Sequence, residues 1–177
     1  FPKVRNRECG VPGRHREPLS CGRDRCRPYS SGGCRLACAF CMTGTMGLKR
    51  NLTGDEIIGQ YLAVNDSLSE ENQVTNIVFM GMGEPLDNYD ATINAIRLMT
   101  MPEALRLSSR KITLSTAGQV DLIEKFKNED LHVNLAISLN ATDNKTREEI
   151  MPINKKYPIE KLINCLRESP LKPSRRF

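Results

Sequence analysis

The sequence has no Trp, only two His and 5% aromatic residues, so a core must be built from aliphatic side chains. Catalysis by a His-based triad or a His-rich metal site has little to draw on, since His15 and His132 are the whole supply. No apolar run nears the roughly 20 residues that cross a bilayer, and no signal-peptide stretch opens the chain. The expectation is therefore a soluble, cytoplasmic protein. Its 177 residues, 39% of them hydrophobic, suit one domain rather than two.

Basic charge is also scarcer than the net +5 suggests. Residues 1–33 hold eight basic and three acidic side chains, which leaves 18 of each sign over residues 34–177. The excess thus says little about a polyanionic partner for the rest of the chain. Residues 1–33 are dominated by Gly, Pro, Arg, Ser and Cys without an apolar period, and are expected to be irregular. The abrupt change of character at Cys34 marks this segment as one expected to be non-native. The expected organisation is this N-terminal segment followed by one domain over 34–177.

From Cys34 onward, helical and strand patterns alternate. Thr53 and Glu56 form a capping box, opening a helix that ends near Asn65 and Asp66 with Ile57, Ile58, Tyr61 and Leu62 on one face. Strands are expected over Val74–Phe79, Lys111–Thr116 and His132–Leu139. Helices are expected after a cap at Asn88, carrying Ile93, Ile96 and Met99, and over Val120–Lys127. A last helix opens at Pro158, with Ile159, Leu162, Ile163 and Leu166 as its stripe. Strands separated by such helices favour a parallel α/β sheet, either open or part of a barrel.

Three strands run into polar or Gly-rich turns: Gly81 to Pro85, Ser115 to Gly118, and Ser138 to Asn140. Sites in parallel α/β folds form at these carboxyl ends. Six of the seven Cys lie within the first 41 residues: Cys9, Cys21, Cys26, Cys34, Cys38 and Cys41. The last three have the spacing C-x3-C-x2-C. Three thiolates can wrap an iron–sulfur cluster and leave one iron open, whereas structural zinc and ferredoxin clusters want four ligands. The competing readings are a zinc knuckle completed by Cys21 or Cys26, reduced core cysteines, or a zinc-stabilised binding module that also uses Cys9, Cys21 and Cys26. Cys165, on the flank of the last helix's stripe, reads as a small buried thiol.

The Cys34–Cys41 loop, with Phe40 before its last Cys, resembles the radical S-adenosylmethionine signature. The run Met42 to Thr53, the Gly81-Met82-Gly83-Glu84-Pro85 turn, Lys111 to Gly118, Ala136 to Ala141 and Met151 to Tyr157 are similar to RNA adenine-C2 methyltransferases of the RlmN/Cfr class. The resemblance implies a partial (β/α) TIM-like barrel of radical SAM type, incomplete at both ends. It implies Cys34, Cys38 and Cys41 as ligands of a [4Fe–4S] cluster, with Phe40 beside it. Gly83 and Glu84 would receive the amino group of S-adenosylmethionine, and Ser115, Ser138, Leu139 and Asn140 its other parts. The implied reaction is methylation at C2 of an adenosine in 23S rRNA and tRNA through a 5′-deoxyadenosyl radical. Flavodoxin or ferredoxin would supply the electron to a monomeric enzyme. A radical SAM enzyme with another substrate is the alternative.

The sequence departs from that pattern at both ends. The methyl-carrying Cys of the resembled class would lie beyond Phe177, so the chain as printed is expected not to transfer a methyl group. Upstream, Ser31-Gly32-Gly33 stands where the class has Gln-Val-Gly, and Pro28 is a poor strand residue. The first barrel strand is therefore expected to be missing, and Cys26 receives no role. Asp87 and Asn88 are expected to cap a helix.

Overall fold

A computed structural model describes residues 25–69 and 73–168. The described strands are β1 (Arg25–Cys26), β2 (Ser31–Gly33), β3 (Leu48–Asn51), β4 (Asn76–Phe79), β5 (Ile112–Thr116) and β6 (Asn134–Ile137). The helices are α1 (Met42–Thr45), α2 (Gly54–Asp66), α3 (Tyr89–Thr100), α4 (Val120–Lys127), α5 (Asn144–Ile150) and α6 (Ile159–Arg167).

The order β1-β4-β5-β6 forms a sheet in which every pairing is parallel. Neighbours follow chain order with no reversal, which is how strands run around a (β/α) barrel rather than across a doubly wound sheet. The sheet is an arc of such a barrel. In its register Ile77 faces Ile112, Phe79 faces Leu114, and Ser115 faces Ala136. Helices cover it, with α2 against α3 and α4 against α6.

Aliphatic packing carries most of this body, though Phe79, Phe126, Tyr61, Tyr89 and Tyr157 are buried in it too. Ile57, Ile77, Phe79, Ile96, Leu114 and Ile123 are buried in one core. The capping box forms: Thr53 Oγ1 accepts from the Glu56 amide at 3.2 Å, and Glu56 Oε2 accepts from the Thr53 amide at 2.9 Å. The helix ends at Asp66, as the pattern indicated. Its buried face is Ile57, Gln60, Tyr61 and Val64, while Leu62 is exposed. Positions spaced by three, four and seven stack on one side; Leu62 is rotated away from it, and Ile58 packs at its edge. On α3 the expected Ile93, Ile96 and Met99 are buried. On α6 the most buried pair is Leu162 and Cys165, so the expected small buried thiol is there.

The described part of the segment expected to be irregular is ordered instead. Residues 25–33 form β1, which pairs with β4, and β2, which pairs antiparallel with β3. A parallel strand therefore does precede the Cys loop, contrary to expectation. Backbone groups make ladder bonds whatever side chains they carry, and Pro28 falls between the two strands rather than within either. Cys9 and Cys21 lie outside the described residues.

Candidate functional site

The three Cys sit on the connection between β2 and β3, so an antiparallel hairpin presents them. Its closure is tight: Gly33 has φ of +95°, and a Cβ there would lie 1.8 Å from the Gly47 carbonyl oxygen. That same oxygen accepts the Cys34 amide at 3.1 Å. Only a residue without a side chain lets the strand turn into the loop at this point.

The hairpin is seated on the carboxyl end of β4. The Ser30 amide donates to Met82 O at 3.0 Å, the Leu52 amide to Ser30 O at 3.1 Å. Gly83, with φ of +95°, faces β2 so closely that a Cβ would come 2.0 Å from Ser31 Oγ. Asn88 stands at the N-cap position of α3 but does not cap it. Its amide nitrogen donates to Ser30 O and Leu52 O at 2.8 and 2.6 Å, fastening both ends of the hairpin. Asp87 is not a cap either. Its carboxylate takes two bonds from the Arg35 guanidinium, at 2.8 and 2.7 Å, and one from Gln119 Nε2 at 2.6 Å. The short polar side chains that read as helix caps are instead bonded to residues 32 to 58 positions away in the chain.

The Cys loop is thus held from two sides. Arg35 ties it to Asp87, and the Ala39 amide donates to Ile150 O at the end of α5, 2.9 Å away. Cys34, Cys38 and Cys41 are free and half-buried. Burial raises the Cys34 thiol above its ordinary value, as do the charges of Glu84, Asp87 and Cys41, against a backbone hydrogen bond at Leu36. Burial also raises Cys38, with Cys34, Cys41 and Glu84 adding to it and Arg147 opposing. Among the described residues no three His, Cys, Asp or Glu side chains are gathered as a preformed metal site. The donor set nevertheless fits a cluster. Three sulfurs on one loop repel one another as thiolates, and a bound cation removes that repulsion.

The three strand-end turns do come together. Glu84 follows β4 and is buried; its Oε2 accepts from the Ala117 amide at 2.8 Å and its Oε1 from the Leu86 amide at 3.2 Å. Burial pushes its carboxyl up to about 7 despite those bonds. Ser115, on β5, is buried; Ser138 and Leu139 are half-buried, and the Ser138 amide donates to Thr116 O at 2.9 Å. Asn140 is exposed with φ of +59°, a conformation Asn tolerates better than other side-chain-bearing residues. Phe40 is 59% exposed and lies open beside the loop.

Sequence reading missed Arg147. It is fully buried, and its guanidinium reaches Ala117 O after β5 and Leu139 O after β6, at 2.7 and 3.0 Å. It lies on α5, between two recognisable motifs. The available signal was Asp143, whose carboxylate caps α5 by accepting from the Thr146 amide at 2.9 Å.

Comparison with known proteins agrees with this geometry. The curated "Dual-specificity RNA methyltransferase RlmN" of Syntrophobacter fumaroxidans is 48% identical over 84% of the chain and 43% of its own length. The protein of that name from Alkalilimnicola ehrlichii is 49% identical over 84% of the chain and 41% of its own. A crystal structure of a radical SAM methyltransferase from Sphaerobacter thermophilus superposes with a TM-score of 0.77. It has 40% identity over 80% of the chain and 42% of its own length. The chain therefore spans about two fifths of these proteins. The model of the radical SAM superfamily matches residues 29–173, taking in β2 as well as the Cys loop. The chain belongs to the radical SAM superfamily, whose cofactors are a [4Fe–4S] cluster and S-adenosylmethionine.

Proposed function

We propose that this chain provides the cluster-binding and cofactor-binding part of an RNA adenine-C2 methyltransferase acting on 23S rRNA and tRNA. The observation that supports it most is the 46–49% identity to proteins named for RNA methylation.

In this reading Cys34, Cys38 and Cys41 hold the cluster, and the fourth iron stays open to S-adenosylmethionine. When bound, the cluster supplies the electron for reductive cleavage of that cofactor. Gly83 and Glu84 receive the amino group of the cofactor, and Ser115, Ser138, Leu139 and Asn140 line the rest of the cofactor's path. Phe40 would pack beside the cluster and the cofactor. The Arg35–Asp87 pair keeps the loop over the β4 turn before any cofactor arrives. Flavodoxin or ferredoxin is the proposed electron donor, and the protein is proposed to work as a monomer in the cytoplasm. No described helix is long and apolar enough to cross a membrane.

Two measurements test this. Anaerobic reconstitution should give iron and acid-labile sulfide, with a spectrum that changes when S-adenosylmethionine is added; zinc in their place would sink the cluster. Joined to the remaining part of one of these curated relatives and expressed in a strain lacking its own adenine-C2 methyltransferase, the chain should restore 2-methyladenosine to ribosomal and transfer RNA by mass spectrometry. Unmodified RNA alongside an intact cluster would reject the substrate and keep the cofactors.

A further inference from the structure

Arg147 is the largest fully buried side chain among the described residues. Its Nε donates to Leu139 O at 3.0 Å, and its Nη2 to Ala117 O at 2.7 Å. Its Nη1 donates to Asn154 Oδ1 at 2.8 Å and to Tyr157 O at 3.4 Å. All four acceptors are neutral oxygens. None of the ion pairs among the described residues includes it.

Taking a guanidinium out of water without an anion is strongly unfavourable, and carbonyl dipoles offset only part of that. A protein needing only a brace between β5 and β6 could use a neutral amide. The position of the charge points to its purpose. Helix α5, which carries Arg147, also docks the Cys loop through the Ala39 to Ile150 bond. Cys38 precedes Ala39, so the helix that carries Arg147 is bonded to the residue next to one of the three Cys. On the other side of the Ala117 peptide lies Glu84, buried and accepting the Ala117 amide, but it has no direct bond to the guanidinium.

We propose that Arg147 supplies the buried counter-charge for the anionic cluster held by Cys34, Cys38 and Cys41, and thereby raises its reduction potential. Three thiolates and the cluster's sulfides give the assembly net negative charge, and reduction adds one more. A fixed cation nearby favours the reduced form; its removal makes reduction harder. Arg147 acts through the cluster as a positioning residue, and the proposal rests on the cofactor reading above.

The test compares the reconstituted protein with R147K and R147Q. Lys keeps the charge with fewer bonds, and Gln keeps hydrogen bonding to the carbonyls without charge. Thermal melting checks folding, and potentiometric titration followed by electron paramagnetic resonance reads the cluster. The expected result is a potential for R147K near that of the parent. For R147Q the potential should be more negative, by about tenfold in the reduction equilibrium. Failure of a folded R147Q to hold a cluster that R147K does hold supports the same conclusion. Equal behaviour of Gln and Arg, or equal damage by Lys and Gln, overturns it in favour of a purely structural brace. A parent protein that binds no iron would instead defeat the cofactor reading itself.

Discussion

The body of the sheet and its carboxyl-end rim follow different rules within one fold. In the body, α2, α3 and α4 bury Ile57, Ile96 and Ile123 against Ile77, Phe79 and Leu114, and hydrophobic area carries the stability. At the rim the buried side chains are Ser30, Ser31, Glu84, Asn88, Gln119, Arg147 and Asn154. Every buried polar side-chain atom among the described residues has a partner, so the rim is ordered by hydrogen bonds. The rim also holds Gly33 and Gly83, both at φ of +95°, and Ala37 and Asn140 at +51° and +59°. Polar burial and unusual backbone collect at the carboxyl ends of the strands, where parallel α/β folds form their sites.

The largest way to break that contrast is Gly33→Ala. The new methyl group meets a backbone oxygen at 1.8 Å with φ already unsuited to a side chain. A loss of about 4 kcal/mol is expected from clash and strain together, with no cluster formed. Urea unfolding and iron content measure the two; a variant as stable as the parent would show that the hairpin closes differently.

Next in size is the pH dependence of Glu84. Its folded-state carboxyl stands at about 7 against an ordinary 4.5, so the folded protein holds the extra proton between those values. Its contribution is full below about 4.5 and is lost as pH rises to about 7, on the order of 3 kcal/mol. In cofactor-free protein Glu84→Gln should flatten this profile. Parallel stability curves for parent and variant between pH 5 and 8 would show that Glu84 ionises freely.

Asp87→Ala removes the Arg35 and Gln119 bonds. Arg35 is exposed and returns to water, so about 2 kcal/mol is expected, together with lower iron uptake after reconstitution. Full uptake would mean that the Ala39 contact alone seats the loop. The smallest effect belongs to the body. Thr53→Ala breaks the cap of α2 at about 1 kcal/mol and should leave iron content and cofactor affinity unchanged, which a side-by-side melt and iron assay decide.

Much of the body was legible because its rules are local. Val120 to Lys127 was bounded correctly by pattern alone, and the Thr53–Glu56 cap needs only residues three apart. Short elements were not legible. β3 and α5 are four and seven residues long and carry too few periods to stand out. The Cys loop and the Gly83–Glu84 turn were visible as candidates, but Asp87, Asn88 and Arg147 were not. Each of them bonds to segments distant in the chain, and nothing in the neighbouring residues records that.

By itself the sequence determined the aliphatic core, the alternation of strands and helices, and the spacing of Cys34, Cys38 and Cys41. These depend on side-chain type and on separations of a few residues. Only the tertiary structure decided that residues 25–33 belong to the fold, that Asn88 fastens a hairpin instead of a helix end, and that a buried cation joins two strand-end turns. In each case the deciding partner is a backbone carbonyl or amide. Every residue carries those groups, so a one-dimensional pattern does not distinguish which of them will meet.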